Sequence, residues 1–316
     1  MKRLCLLVMA TIATCAAAGG PALETLPTNA QWVAHLNLQA LTETSPGKTL
    51  LANATSFRPF QKLKAFTATF GNEIPVNLTA VTACGTGRFS QGGVAYLHGS
   101  WDLRKLSAQL AGSTPSTTSQ HGRHTILSWH DATAPKGYES TSICLLSSDL
   151  ILLANQPILL LQALDAVDGK VPSLATMPWV RRLTPADANA IFSAFAANPA
   201  ERLADVPFAA ALPAINTLEL TLLADQQEAR LQGIAQAPSL EAAQQLQLSL
   251  TALKTVALLQ SLQNPDLAAI TRSAHIHTTG HEVRITLSAP FATLQNLLTR
   301  PCSAPGHISA TKANAG

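Results

Sequence analysis

Over much of the chain, apolar and polar residues alternate with a period of two, which sorts side chains onto the two faces of strands. Residues 32–38 place Trp32, Ala34, Leu36 and Leu38 on one side. Residues 78–87 and 93–99 form a hairpin pattern, joined by the Gly-rich run from Gly85 to Gly92. Residues 125–130, 142–146 and 150–154 read as further short strands, with Ser147-Ser148-Asp149 as the turn between the last two. In the second half, residues 190–196 give a strand and 218–223 with 229–235 a hairpin. Residues 274–278 and 282–287 give another, turning about Thr279-Gly280.

Between the strands the period lengthens to that of helices. Residues 47–70 (broken at Pro59), 102–110 and 157–167 fit helices, with Asp102 as an N-cap and Gly112 and Gly169 as stops. Asn198-Pro199-Ala200-Glu201 is a helix start, with Asn as cap, Pro at the first position and Glu reaching back. Ser239 caps the longest helix, which runs to about residue 262 with Leu246, Leu250, Leu253, Ala257 and Leu258 as its apolar stripe. Asn264-Pro265 interrupts it, and residues 290–298 give a last helix.

Hairpins joined by helices predict the α+β class: mostly antiparallel sheets with helices on one face, in two loosely repeated units. Each half reads strand, helix, hairpin, helix, two or three strands, helix. Pro172, Pro178 and Pro185 place the junction near residues 169–185, so the units span residues 19–170 and 171–300. The Ser/Thr-rich residues 112–122 read as a flexible loop and residues 301–316 as a disordered tail.

The N-terminus reads as an address. Lys2 and Arg3 precede an apolar run over residues 4–13, followed by Ala16-Ala17-Ala18 and Gly19-Gly20-Pro21. A basic start, an apolar core too short to span a bilayer and a small-residue site predict a signal peptide over residues 1–18, with cleavage after Ala18. The destination is the periplasm or the exterior. Ile12-Ala13-Thr14-Cys15 resembles a bacterial lipobox, so a lipid tether at Cys15 is the alternative. The most apolar later stretch, residues 143–164, is interrupted by Ser147, Ser148, Asp149, Asn155, Gln156 and Pro157, and no transmembrane segment is expected after the signal.

Leu26-Pro27 followed by Gln31-Trp32-Val33-Ala34-His35-Leu36 resembles the mature start of a group of uncharacterised exported bacterial proteins. Gly85-Thr86-Gly87, residues 124–129 and residues 163–174 are similar to that group too. The resemblance implies export. The group has no assigned activity, so no site residue follows from it.

Composition narrows the function classes. Of 316 residues, 47% are hydrophobic and 12% charged, which excludes a disordered or collagen-like chain. The formal charge is +3, and loss of Lys2 and Arg3 with the signal leaves +1, so there is no overall electrostatic footprint for nucleic acid. All nine histidines survive signal removal, so acidification can carry the charge from +1 toward +10 and alter association. Cys5 and Cys15 leave with the signal. Of the remaining Cys84, Cys144 and Cys302, the first two lie on expected strands, where they either form a disulfide or stay as buried thiols.

Candidate chemistry is sparse. Gly85-Thr86-Gly87-Arg88-Phe89-Ser90 begins like a dinucleotide fingerprint, but Ser90 replaces the third Gly and a strand follows where a helix is needed. His275, His277 and His281 are the metal candidate: the first two share a strand face and the third lies across the turn, suiting zinc, copper or nickel. The bland alternative leaves them in water, with Ala274, Ile276, Val283, Ile285 and Leu287 as the dry side. His121, His124 and His130 form a second cluster, beside Asp131, but no Gly-x-Ser-x-Gly elbow supplies a nucleophile. Asp165 and Asp168 sit near a helix end, where a solvated terminus is the simple reading.

The sequence therefore points to an exported, non-catalytic binding, scaffolding or envelope-associated protein without a cofactor. Its expected partner is an unknown protein, which includes a second copy in a homo-oligomer. The alternatives are a carrier of an apolar or amphiphilic ligand and a metal-dependent exported enzyme.

Overall fold

The computed structural model describes residues 21–44, 47–48, 77–113, 117–130, 140–177, 179, 190–202, 215–225, 227–261 and 264–293. The signal segment with Cys15, most of the helix expected over 47–70, Asp131, Cys302 and the tail lie outside the described residues.

Among the described residues, twelve strands form one sheet. They are β1 (Trp32–Asn37), β2 (Leu78–Gly85), β3 (Val94–Gly99), β4 (Thr117–His121), β5 (His124–His130), β6 (Ser140–Ser147), β7 (Leu150–Ala154), β8 (Ala190–Ala197), β9 (Thr217–Ala224), β10 (Glu228–Gln236), β11 (His275–Thr279) and β12 (Glu282–Pro290). Their order is β11-β12-β10-β9-β8-β1-β2-β3-β7-β6-β5-β4, with every neighbouring pair antiparallel. Among the described residues the α-helices with assigned bounds are α1 (Leu38–Glu43), α2 (Leu103–Ser113), α3 (Pro157–Val167), α4 (Pro199–Arg202), α5 (Leu240–Gln260) and α6 (Pro265–Arg272).

β1 and β8 meet at the centre, so one sheet runs across the junction between the two halves. Outward from this pair the chain takes similar routes. β1 leads to the β2–β3 hairpin, α2 follows, and a meander brings β7 back beside β3. β8 leads to the β9–β10 hairpin, α5 and α6 follow, and β12 returns beside β10. The return has four strands in the first half and two in the second.

The class is α+β and mostly antiparallel, as the pattern predicts. The helices, however, cover both faces of the sheet rather than one. On the front face Leu160 and Leu164 of α3 bury against Cys84, Tyr96 and Leu152. On the back face α2 brings Leu106 and Leu110 onto Leu97, Ile143 and Ile151. Also on the back, α5 brings Ala243 and Leu246 onto Ala235 and Val283. Central strands thus lose their wet side, and alternation no longer tells inside from outside.

β1 shows this directly. The sequence pattern makes Trp32, Ala34, Leu36 and Leu38 its dry side. In the structure both sides are covered: Trp32 on the expected side is buried and Ala34 and Leu36 are half-buried, while Val33, His35 and Asn37 on the other side are buried too. Asn37 is satisfied there because its Oδ1 accepts from Ala40 N (2.9 Å) and caps α1.

Two further expectations change. The supposed loop over residues 112–122 contains β4, a polar edge strand without alternation, turned onto β5 through Gly122 at φ 58°. Cys84 and Cys144 are free buried thiols. They stand on β2 and β6 with β3 and β7 between, roughly 14 Å apart by strand spacing and beyond disulfide reach.

Glycine makes one close approach possible. Gly85 pairs with Trp32 across β1–β2, and a Cβ on it would lie 2.7 Å from the indole. A Cβ on Gly93 would lie 2.9 Å from the same ring. Both positions leave room for Trp32, whose ring packs 4.6 Å from that of Phe89. The Gly-rich run that imitates a phosphate loop is therefore an indole seat and hairpin connection.

Candidate functional site

The sequence leaves His121, His124, Asp165 and Asp168 in two separate clusters, and the fold joins them. The β4–β5 hairpin lies over the C-terminal end of α3. His121 Nε2 donates to Asp165 Oδ1 (2.8 Å) and His124 Nε2 to Asp168 Oδ1 (2.9 Å). Arg123 donates to Asp168 Oδ1 (2.9 Å), and Lys170 Nζ reaches both Asp165 Oδ1 (3.1 Å) and Asp168 Oδ2 (3.0 Å). Carboxylates at a helix C-terminus oppose its dipole, and this ring of donors, with the cations Arg123 and Lys170 among them, compensates them. The bonds from His124 and Lys170 hold the Asp168 carboxyl well below its usual range. Those from His121 and Lys170 lower Asp165.

The cluster can fasten a hairpin to a helix. For hydrolysis it needs a nucleophile, and the neighbouring thiol is unsuited: burial, then the charge of Asp168, pushes Cys144 up to about 11. His130 is exposed at the far end of β5, about 20 Å from His124 by strand rise, and does not join the group.

This clamp has a testable pH signature. A carboxyl with a lowered folded-state pKa stabilises the fold above its unfolded value near 3.9. That contribution disappears as the pH falls through the folded value. Asp168→Asn is expected to lower the melting temperature at pH 7 and to flatten its fall below about pH 4. Thermal melts from pH 7 to 2 check this; an unchanged melting temperature at pH 7 refutes the clamp.

The structure does not assemble the metal candidate. His275 and His277 are exposed on edge strand β11, and His277 pairs in register with Arg284, a cation that disfavours a second positive charge. His277 Nε2 is instead bonded to Thr279 Oγ1 (3.1 Å), and His281 is exposed beyond the turn. Among the described residues, no three His, Cys, Asp or Glu side chains are grouped to hold a metal ion.

Sequence reasoning passes over a buried polar row at the sheet centre. His35 Nδ1 meets Thr82 Oγ1 at 2.9 Å, and Ser193 of β8 stands beside His35 in register. All three are buried. Burial, reinforced by His98, pushes the His35 imidazole down to about 4. Burial likewise pushes the Cys84 thiol up to about 12, so it stays protonated.

Apolar hollows lie on the back face. A cleft of about 660 Å³ separates α2 from β5 and β6, lined by Leu103, Ala108, Ala111, Leu127 and Leu145, with Arg104 as its charged side chain. A second, of about 280 Å³, lies beside Trp32. A third apolar feature is open to solvent: Leu248, Leu253, Val256 and Leu259 on α5 are 71, 50, 48 and 64% exposed. Along the 21 residues of α5 the charged side chains are Glu241 and Lys254. Among the described residues, no helix is long and apolar enough to cross a membrane.

No family model matches the sequence, and no curated protein does. The fold is similar to that of TP0453. Crystal form III of that protein matches with a TM-score of 0.52 at 11% identity, over 87% of this chain and 96% of the other. Form I matches with a TM-score of 0.50 at 13% identity, over 89% and 97%. At such identity the likeness concerns the fold alone.

Proposed function

We propose that the protein is an exported, non-catalytic binding protein that works through apolar contacts. Export is supported by the N-terminal signal pattern, with the lipid tether at Cys15 as its membrane-bound form. The two-unit organisation is supported by the similar routes out of β1 and β8. The observation that carries the binding reading is the outer side of α5. Leu248, Val256 and Leu259, with exposed Ala252 between them, follow helical spacing into one solvent-facing stripe. A helix that turns Leu246 to the core and this stripe outward has a second surface to cover.

The partner best suited to such a self-complementary stripe is a second copy, related by a two-fold axis. Sedimentation velocity from 1 to 100 µM is expected to show a concentration-dependent dimer. Leu248→Lys with Leu259→Lys returns it to monomer with unchanged circular dichroism. A wild-type monomer throughout this range argues against self-association.

The back-face hollows favour a second reading, a carrier of a small apolar ligand.

A further inference from the structure

We infer that the cleft between α2 and strands β5 and β6 binds a medium-chain carboxylate, a single-chain amphiphile whose anionic head meets Arg104 and whose tail lies along α2. This inference rests on the carrier reading and gives it a site and a ligand class.

The cleft exists because of residue size. Where α2 packs closely, Leu106 and Leu110 fill the space over Leu97, Ile143 and Ile151. Toward β5 the helix offers Ser107, Ala108 and Ala111 instead, which are too short to reach Thr125, Leu127 and Leu145 across the gap. The 660 Å³ left open falls within the roughly 300–1,000 Å³ of small-molecule sites and is too small for a two-chain lipid. From Arg104 to Ala111 the cleft follows α2 for about 10 Å by helix rise, the length of a chain of about eight to ten carbons.

The charge of the wall selects the head. Arg104 is exposed at one end of the cleft, and among the described residues its guanidinium has no hydrogen-bond or ion-pair partner. Asp102, close by in sequence, lies outside the lining. Its carboxylate is engaged in capping α2, where it accepts from the backbone N–H groups of Arg104 and Lys105 (3.1 Å each). Ser107 stands one turn beyond Arg104 on the same side of the helix and adds a hydroxyl donor. No lining side chain is acidic. A carboxylate therefore finds a cation and a hydroxyl, whereas an ammonium head meets a like charge. Because Arg104 is exposed, the head keeps part of its hydration while the tail leaves water, so the cost of burying a charge is avoided. The hollow beside Trp32 has no charged side chain in its lining and gives a carboxylate no such partner.

The test is equilibrium dialysis of the full chain at about pH 8 against radiolabelled decanoate and radiolabelled decan-1-ol, which share a tail and differ in the head. Decanoate is expected to bind saturably at one site. Arg104→Gln is expected to weaken decanoate up to about fivefold, the effect of one solvent-exposed ion pair, and to leave decan-1-ol unchanged. Ala108→Leu with Ala111→Leu fills the cleft and is expected to abolish binding of both, with circular dichroism as the check on folding. Equal changes of the two ligands in Arg104→Gln overturn the assignment of the head. Decanoate binding that survives the filled cleft overturns the inference; if it is then lost in Ala95→Leu, the ligand sits beside Trp32 and the carrier reading stands. Absence of saturable binding by either ligand overturns both.

Discussion

Acidification from pH 7.5 to pH 4 is expected to remove about 3 kcal/mol of folding stability through His35 alone. The ring is 4% exposed at the centre of the sheet, between Thr82 on β2 and Ser193 on β8. Its folded pKa is about 4, because burial disfavours the imidazolium and nearby His98 adds to the effect. In the unfolded chain the same group titrates near 6.5. Within that window the unfolded chain binds the proton and the folded chain does not, so each step toward acid favours unfolding. The contribution is whole above pH 6.5 and is lost as the pH falls toward 4.

His35→Gln, neutral throughout and able to bond Thr82, is expected to flatten most of the pH dependence. The remaining slope is assigned to His98, which burial also lowers. Urea unfolding at half-unit pH steps measures both proteins. If wild type and His35→Gln show the same slope between pH 6.5 and 4, the buried-neutral account of His35 fails. The window is distinct from that of the Asp168 clamp, which acts below about pH 4.

A second large effect concerns two leucines of equal chemistry and opposite setting. Leu164 on α3 is fully buried against the front face, and Leu259 on α5 is 64% exposed. Leu164→Ala removes a packed side chain from a cluster that includes Tyr96, Leu152 and Leu160, and is expected to cost about 3 kcal/mol. Leu259→Ala is expected to change monomer stability by less than about 0.5 kcal/mol. Chemical denaturation at dilute concentration, where association is absent, gives both values. Comparable losses contradict the account of α5 as a helix with an uncovered side.

Most strands were legible because a strand is a local matter: alternation over five or more residues survives in the sequence whatever the neighbours are. The β9–β10 and β11–β12 hairpins lie within a residue or three of their expected bounds. β4 was illegible for the same reason. Thr117-Thr118-Ser119-Gln120-His121 has no apolar face, and its strand state depends on β5 beside it. The burial on both sides of β1 has a related cause, since a strand covered on both sides carries no polarity contrast to read.

The clamp illustrates what spacing cannot convey. His121 and Asp165 are separated by 44 residues, as are His124 and Asp168. The sequence offered two histidines near a turn and two aspartates near a helix end, with nothing linking them. The indole seat was hidden similarly, because Gly85 and Gly93 signal only a turn until Trp32 is placed across them.

By itself, the sequence determined the α+β class, the hairpins and most helix starts, all of which follow from interactions within about a dozen residues. Tertiary structure alone decided that twelve strands share one sheet and that helices lie on both of its faces. It also decided that His35 is buried neutral and that Trp32 walls an unfilled hollow. These properties depend on which strands become neighbours, a choice made by long-range packing free energy that leaves no periodic trace along the chain.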